Sequence, residues 1–252
     1  MRILLLRHAE PDYAIDGLTP KGRQEAELLS QRLLSYSIRD FYVSPLGRAR
    51  ETASYTLSKL NRQAEVLPWL AEFRGRFPDP QTGRSRISWD LLPRQFASEP
   101  LLMDPDQWAD APLYQGGNVR QIWDETRFGV ADLLARYGFH REGPVWCCDN
   151  NTQDTIALFC HFCISMAVVG CLLHISPMIL MQGCLAAPSS LTELVTEERV
   201  PGEVVFRLTK LGDLSHLESA GEPRSMAGLF PQCYTGVDST DWKINGCTPL
   251  LP

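Results

Sequence analysis

Two arginines and two histidines stand where predicted strands end, which is where a sheet can bring distant parts of a chain together. Arg7 and His8 directly follow the first apolar run of the sequence, and Arg48 lies a few residues after the second. His161 follows a later run of the same kind. Because ligands gather beyond the carboxyl ends of strands in open parallel sheets, we expect the four side chains to converge on one site.

These residue types favour chemistry at phosphorus. A guanidinium presents its N–H groups in a fixed fork that suits phosphoryl oxygens. A neutral imidazole is a nucleophile, and a second imidazole can stabilise the charge that spreads over the oxygens in the transition state. Positioning and electrostatics do most of the work in phosphoryl transfer. The set therefore predicts transfer through a phosphohistidine, with no metal ion and no cofactor.

The spacing of apolar residues predicts alternating strands and helices, the order typical of an α/β protein whose parallel sheet is covered by helices. Thr19 is a candidate N-cap, with Pro20 at the first helical position. The predicted strands cover residues 2–6, 40–43, 64–67, 155–160, 191–196 and 204–208. The predicted helices cover residues 20–35, 46–60, 119–137 and 163–174. The stretch after Leu214 is rich in Gly, Ser and Pro, and is predicted to be irregular.

Residues 75–117 differ in character from the rest of the chain. Prolines punctuate this stretch, and Trp89, Phe96 and Trp108 are scattered along it. A flexible linker would not carry so many large apolar anchors, so we interpret the stretch as an insertion over the sheet edge. The three aromatic residues fit the core of this insertion better than the mouth of a substrate site.

The composition is that of one globular domain. The chain has 252 residues, 44% of them hydrophobic, which is enough to bury a core without metals or disulfides. Its net charge of −6 gives no general attraction to nucleic acid or to an anionic membrane. No run approaches the roughly 18 apolar residues of a membrane span, and the first residues lack the features of a signal peptide. We therefore expect a soluble, cytoplasmic protein with a small-molecule partner; its oligomeric state stays open.

The eight cysteines lie mostly in apolar surroundings rather than at the spacing of a disulfide framework. Free, buried thiols in a reducing compartment explain them best. Cys160 and Cys163 form a C-x-x-C, but no second such pair accompanies it. A zinc or redox site at this pair is therefore the weaker interpretation.

Three blocks of sequence carry a family resemblance. They are Leu-Leu-Arg-His-Ala-Glu at residues 5–10, Gly-Leu-Thr-Pro-Lys-Gly at 17–22, and Ser-Pro-Leu-Gly-Arg-Ala-Arg-Glu-Thr-Ala at 44–53. In this order they resemble the histidine phosphatase superfamily, in its phosphoglycerate mutase-like family. The resemblance implies a three-layer α/β/α fold with a mostly parallel sheet, as a single domain over residues 1–252 in which residues 75–117 form a lid that selects substrate.

The resemblance also implies a role for each matched residue. His8 would be the phosphorylated nucleophile, Arg7 and Arg48 would bind the phosphoryl group, and His161 would complete that pocket. Glu72 matches the position of the proton donor, which protonates the leaving alcohol and then activates water. From the residues alone, the nearby Glu10 or Asp12 could instead supply the acid.

Two departures from the family pattern affect the expected activity. Phe162 stands where a small residue usually follows the second histidine, so it either narrows the pocket or packs on the sheet. Gly116-Gly117-Asn118 replaces a Gly-Glu-Ser element, which removes groups expected in members that bind phosphoglycerate. We therefore expect metal-independent hydrolysis of a small phosphomonoester. A mutase and a catalytically silent phosphate-binding relative remain the alternatives.

Overall fold

The computed structural model describes residues 1–80, 82–230 and 232–233. Its strands are β1 (Arg2–Arg7), β2 (Pro11–Asp12), β3 (Gly17–Leu18), β4 (Ile38–Val43), β5 (Glu65–Val66), β6 (Arg76–Pro78), β7 (Ser85–Ile87), β8 (Phe139–Glu142), β9 (Val145–Cys148), β10 (Thr155–Cys160), β11 (Leu191–Val200) and β12 (Glu203–Asp213). Its α-helices are α1 (Pro20–Leu33), α2 (Gly47–Leu60), α3 (Pro93–Ala97), α4 (Val119–Ala135), α5 (Phe162–Leu173), α6 (Pro177–Gly183) and α7 (Ser215–Ser219).

Eight of the strands form one sheet in the order β5-β4-β10-β1-β11-β12-β9-β8. The first four strands in this order are parallel to one another. The next four continue the sheet with antiparallel pairings. The expected α/β fold is confirmed, and its parallel part is the one whose strands end at the four polar residues.

Helices cover both faces because the central strands are apolar on both sides. In β1, Leu4 and Leu6 belong to the core beneath α1 and α2, whereas Ile3 and Leu5 face the core formed with α4, α5 and α6. Successive side chains of a strand point to opposite faces, so one short apolar run serves both layers. The three-layer arrangement predicted from the sequence is therefore confirmed.

The described residues of the segment 75–117 are folded and share the core of the α4–α5 layer. Phe77 and Trp108 are buried within that core beside Phe73, which precedes the segment. Trp89 and Phe96 pack against it while remaining partly exposed. The aromatic residues of the insertion are thus core or core-packing groups, in agreement with the prediction.

The elements that were not predicted from the sequence include the β8–β9 hairpin, α6 and α7. The β8–β9 hairpin has strands of only four residues each. Pro177 occupies the first position of α6, and Ser176 caps that helix, with its Oγ accepting from the Met178 N–H at 3.2 Å. The prediction that the chain is irregular after Leu214 was wrong for residues 215–219, which form α7.

The sequence predicts free, mostly buried cysteines and no membrane-spanning segment. Cys148, Cys160, Cys163 and Cys171 are buried and free, Cys147 and Cys184 are partly buried, and Cys233 is exposed. Cys247 lies outside the described residues. Within the described ranges, no helix combines the length and the hydropathy needed to cross a bilayer.

The start of α1 holds the loop that follows the first strand. Thr19 is the N-cap, and its hydroxyl accepts from the Gly22 N–H at 3.0 Å, as predicted. A Cβ at position 22 would lie 2.2 Å from the Glu10 carbonyl oxygen, so only glycine allows this approach. Glu25 is fully buried, and its carboxylate accepts from the Glu10 N–H at 2.8 Å. Burial raises the pKa of Glu25 to about 7.

We expect Glu25 to make the stability of the protein depend on pH. Because its folded pKa of about 7 lies above the ordinary 4.5, its contribution is complete below pH 4.5 and is lost as pH rises through 7. Denaturant unfolding of the wild type should show a decrease of up to roughly 3 kcal/mol from this group between pH 4.5 and 8. Glu25→Gln should remove most of that decrease, and an unchanged pH dependence would contradict this assignment.

Candidate active site

Three adjacent parallel strands deliver the polar residues to one place. Arg7, the last residue of β1, pairs with Cys160, the last residue of β10. The His8 N–H donates to the Cys160 carbonyl oxygen at 2.9 Å, and the Ser44 N–H beyond β4 donates to the Phe159 carbonyl oxygen at 2.9 Å. Residues 8, 44 and 161 therefore leave the sheet side by side at its carboxyl edge, as the sequence predicted.

The two histidines face each other in a buried pocket. The ring centroids of His8 and His161 are 5.1 Å apart, with an angle of 59° between the planes. The side chains are almost fully buried, with relative exposures of 2% for His8 and 0% for His161. Two imidazoles from opposite halves of the chain thus present their edges to the same small space.

Hydrogen bonds determine which nitrogen of each ring carries the proton. His8 Nδ1 lies 2.8 Å from the Ala9 carbonyl oxygen, which can only accept, so Nδ1 is the donor and Nε2 keeps its lone pair. His161 Nε2 lies 2.7 Å from Ser44 Oγ, and that hydroxyl also accepts from the Leu46 N–H. The buried hydroxyl proton of Ser44 is best satisfied by donating to Nε2, which places the proton of His161 on Nδ1.

Both rings are held neutral. Burial lowers the pKa of His8 well below its ordinary value, and the charges of Arg7 and Arg48 lower it further. Burial is also the main reason that the pKa of His161 is lowered, followed by His8 and then Arg48. At neutral pH the pocket therefore offers a lone pair on His8 Nε2 and an N–H donor on His161 Nδ1. That Nδ1 has no partner within the described residues.

Arg7 reaches the pocket from the end of β1. Its Nη1 donates to the Ala186 carbonyl oxygen at 2.6 Å, and its guanidinium carbon lies 5.7 Å from the centroid of the Phe162 ring. Phe162, the residue that departs from the family pattern, is partly exposed and packs on this guanidinium. The Phe162 ring therefore helps to hold the Arg7 guanidinium in place through a cation–π contact.

Arg48 lies in the first turn of α2, where its charge opposes the helix dipole. Asp16 offsets this by accepting from the Gly47 N–H and from Arg48 Nη1, both at 2.6 Å. The Arg48 side chain is almost completely buried, and its guanidinium carbon lies 5.4 Å from the Tyr13 ring centroid. The Nε atoms of Arg7 and Arg48 are both buried with no hydrogen-bond partner among the described residues.

Glu72 lies beside this cationic pocket. Its Oε1 accepts from the Phe73 N–H at 2.8 Å and from the Ile164 N–H, in the first turn of α5, at 3.1 Å. Burial raises the pKa of Glu72, while these N–H groups and the two pocket guanidiniums act in the opposite direction. A carboxyl whose pKa is raised by burial is a candidate for acid–base chemistry.

The other acids near His8 are already engaged. Glu10 accepts from the Thr19 hydroxyl at 2.9 Å through one oxygen and from the Ser225 hydroxyl at 2.6 Å through the other. Asp12 accepts from the Ala14 N–H at 3.0 Å. Glu10 therefore anchors the loop after β1, while Glu72 lies beside the guanidiniums of Arg7 and Arg48.

Residues 222–230 lie beside the pocket, which the sequence did not predict. Glu222 forms an ion pair with Lys21, and Ser225 is buried where it binds Glu10. A Cβ at Gly228, whose φ is +79°, would lie 3.5 Å from Arg7 Nη2. The segment from residue 222 to 230 therefore runs next to the pocket, and a glycine at 228 brings the backbone close to the Arg7 guanidinium.

Sequence reasoning also missed Asp16 and Arg74 as residues of the site. Asp16 lies in a loop with a positive φ of 48°, and nothing in its local sequence indicates the ion pair with Arg48. Arg74 follows Glu72 by two residues, and in extended backbone this spacing directs two side chains to the same face. Its charge lies near enough to lower the pKa of His161.

Among the described residues, neither Cys160 nor Cys163 belongs to a group of three potential metal ligands. Cys160 and Cys163 are buried, and burial raises the pKa of the Cys160 thiol to about 12, so it is protonated. Its Sγ lies 3.2 Å from Ser165 Oγ. In the described part of the chain, a group of potential metal ligands occurs instead at His140, Glu142 and Cys147 on the β8–β9 edge hairpin.

The Gly-Gly-Asn element fastens the insertion to the start of α4. Asn118 Oδ1 accepts from the Arg76 N–H at 2.8 Å, and the Asn118 N–H donates to the Arg76 carbonyl oxygen at 2.9 Å. A Cβ at Gly117 would lie 2.1 Å from that carbonyl oxygen, which excludes other residues. This element therefore has a structural role in the chain.

Comparisons with known proteins agree with the fold and with the motifs. Residues 3–117 match the family model of the histidine phosphatase superfamily, branch 1. A protein of Schizosaccharomyces pombe described as a probable phosphatase is 27% identical over 139 residues, which are 50% of this chain and 60% of that protein. The chain thus spans less than two thirds of the length of this curated relative.

Solved structures of similar fold include two phosphatases. Phosphoserine phosphatase from Entamoeba histolytica, in complex with phosphoserine, has a TM-score of 0.57 at 20% identity, covering 86% of this chain and 98% of that one. Mycobacterial glucosyl-3-phosphoglycerate phosphatase has a TM-score of 0.55 at 21% identity, covering 84% and 98%. At these identities the likeness concerns the fold.

We expect nitrogen-15 NMR to find His8 and His161 neutral and protonated at Nδ1. At pH 6, where an ordinary histidine with a pKa of about 6.5 is mostly charged, both rings should remain neutral. Ser44→Ala should disturb the tautomer of His161 and leave that of His8 unchanged, because only His161 bonds to Ser44. Protonation of His8 at Nε2 would contradict the assignment, since that ring would have no lone pair facing the pocket.

Proposed function

We propose that the chain is a histidine phosphatase that hydrolyses small phosphomonoesters through a phosphohistidine formed at His8. The match of residues 3–117 to the family model of the histidine phosphatase superfamily supports this proposal. The observation that carries this proposal is the pairing of the two imidazoles. One ring presents a lone pair and the other an N–H donor, across a space lined by buried guanidinium nitrogens without acceptors. A phosphoryl group supplies the missing acceptors and the electrophilic atom together.

In the first step, His8 Nε2 attacks phosphorus as the bond from phosphorus to the ester oxygen breaks. Arg7, Arg48 and the Nδ1–H of His161 hold the three non-bridging oxygens and stabilise their charge. Glu72, protonated, gives its proton to the departing oxygen, and an alcohol leaves. His8 carries the phosphoryl group, with its Nδ1–H still donating to the Ala9 carbonyl oxygen.

In the second step, water attacks the phosphorus of the phosphohistidine. Glu72, now a carboxylate, accepts a proton from that water, and the bond between phosphorus and Nε2 breaks. Inorganic phosphate leaves, and His8 returns to its neutral state. The lowered pKa of His8 keeps the resting ring neutral, so that its Nε2 lone pair is free to attack, and it makes the imidazole a better leaving group in the second step.

The residues between 75 and 117 are, in this proposal, the element that selects the leaving group. They follow Glu72 directly, and their folded core is continuous with the layer that holds α5 and His161. The substrate class that fits is a small phosphorylated metabolite, consistent with the phosphatases named above. Phosphoglycerate mutase activity is the competing function, and it would return the phosphoryl group to a second hydroxyl without net release of phosphate.

His8→Ala should abolish phosphate release from para-nitrophenyl phosphate. The wild type should stay active after treatment with a chelator, because the proposed mechanism uses no metal ion. Acid-quenched, alkali-stabilised samples of wild type should contain phosphohistidine, and those of His8→Ala should not. His140→Ala, an exposed histidine on β8, serves as the matched control and should behave as wild type. Phosphate release that persists in His8→Ala, or that disappears with chelator alone, would overturn the mechanism.

Glu72→Gln should separate the two proton transfers. With glycerol phosphate, whose leaving alkoxide needs a proton, turnover should fall by about 10²–10⁴-fold. With para-nitrophenyl phosphate, whose leaving group needs none, the first step should persist while hydrolysis slows, so phosphohistidine should accumulate in rapid-quench samples. Glu10→Gln is the control for the competing acid, and a larger loss in Glu10→Gln than in Glu72→Gln would reassign the role.

A further inference from the structure

The β8–β9 hairpin at the edge of the sheet carries three side chains of the types that bind metal ions. His140 and Glu142 lie two residues apart on β8, so they project from the same face of the sheet. Cys147, on β9, lies directly opposite His140 in the antiparallel register, so its side chain shares that face. The ligand atoms of the three residues all lie within 4.8 Å of one another. The hairpin thus brings a nitrogen, an oxygen and a sulfur ligand to one point.

The spacing of two of these groups fits a shared metal ion better than it fits a hydrogen bond. His140 Nε2 lies 3.6 Å from Glu142 Oε1, which is beyond hydrogen-bond distance. Zinc binds such atoms at about 2.0–2.3 Å in tetrahedral geometry, which separates two ligands by roughly 3.3–3.6 Å. An ion between the two side chains therefore needs little movement of either. Both side chains are exposed, so water has access to the remaining coordination position.

The charges around Cys147 favour a cation at this point. Desolvation raises the pKa of its thiol, and the charges of Glu142 and Glu203 raise it further. Glu203, on β12, lies opposite Cys147 in the register and therefore on the same face. Arg141, the one arginine of the hairpin, turns to the other face, where its guanidinium carbon lies 5.6 Å from the ring centroid of the buried Trp146. A metal ion would offset the two carboxylates and stabilise the thiolate.

We propose that His140, Glu142 and Cys147 form a binding site for a divalent metal ion of the zinc class, with water at the fourth position. Imidazole, carboxylate and thiolate are the ligands that zinc takes in proteins. When the ion binds, a bond forms between Cys147 Sγ and the metal, and the proton of the thiol passes to solvent. The site uses none of the residues of the proposed hydrolysis and is independent of it.

The place of the site in the sheet gives the ion a structural role. In the register, β9 joins β12 through two residue pairs, Cys147 with Glu203 and Trp146 with Val204. An ion that links β8 to β9 beside this short ladder stabilises the edge of the sheet. β11 and β12 separate β9 from β1, a distance of about 14 Å at the usual strand spacing. The ion therefore takes no part in phosphoryl transfer, and substitution of His140 leaves hydrolysis unchanged.

The test titrates the metal-free full chain with zinc chloride, and then with cobalt(II) as a spectroscopic probe. The wild type should bind one equivalent of zinc. Cobalt should give a near-ultraviolet band of sulfur-to-metal charge transfer and the strong visible absorption of four-coordinate geometry. His140→Ala, Glu142→Gln and Cys147→Ser should each weaken zinc binding by at least about tenfold, the loss already typical when a group that only supports a ligand is removed. Cys147→Ser should also remove the charge-transfer band.

Three further variants control for binding elsewhere on the protein. Cys184→Ser and His174→Ala each remove a partly exposed residue of the same type as a ligand. His8→Ala removes one of the two active-site imidazoles. All three should bind zinc as the wild type does. A loss of binding in Cys147→Ser alone would show an adventitious ion on a surface thiol, and a loss in His8→Ala would place the ion in the active site. Either result would overturn the proposal.

Unfolding and hydrogen exchange test the structural role of the ion. Zinc at a hundredfold excess over its Kd should raise the Tm of the wild type by roughly 5–10 °C. The same zinc concentration should raise the Tm of Glu142→Gln by much less. Zinc should also slow hydrogen exchange of the backbone amides of residues 139–148 in the wild type. Zinc that binds without changing either the Tm or the exchange of these amides would contradict a site that stabilises the hairpin.

Discussion

Burial of guanidinium groups with little counter-charge is the constraint on which the active-site arrangement depends. Taking a cation out of water is expensive unless it is paired, and the penalty amounts to several kcal/mol for each ion. Arg7 has a carbonyl oxygen and an aromatic ring as its partners, and Arg48 has one carboxylate. The rest of the fold must hold these groups in place until an anion arrives.

The same positive charges set the state of the histidines. A buried imidazole between guanidiniums cannot easily accept a proton, so both rings stay neutral, and their hydrogen bonds fix where the single proton of each ring lies. The Ala9 carbonyl oxygen and the Ser44 hydroxyl perform this role from backbone positions held by the parallel strands. Electrostatics and hydrogen bonding therefore act together on His8: burial and the nearby charges keep the ring neutral, and the hydrogen bond to the Ala9 carbonyl oxygen leaves the Nε2 lone pair free.

The sequence was most informative where chemistry and local pattern coincide. Short apolar runs followed by Arg7-His8 and His161 predicted adjacent parallel strands, because a strand buried on both faces has few other solutions. Thr19 and Pro20 predicted the start of α1, because an N-cap hydroxyl and a proline at the first helical position act within a few residues of themselves. Asp16, Arg74 and the chain from Glu222 to Gly228 were not predictable, since their importance arises from contacts with residues far away in sequence. The prediction for residues 215–219 was wrong because the composition of the surrounding stretch indicates turns but says nothing about what a segment packs against.

A crystal structure of the protein with vanadate tests the central claim most directly. Vanadate adopts the five-coordinate geometry of phosphoryl transfer, so it reports which group attacks and which groups hold the oxygens. We predict His8 Nε2 at the apical position, with Arg7, Arg48 and His161 Nδ1 on the equatorial oxygens and Glu72 facing the opposite apex. Vanadate bound away from His8, or coordinated by His8 through Nδ1, would contradict the account.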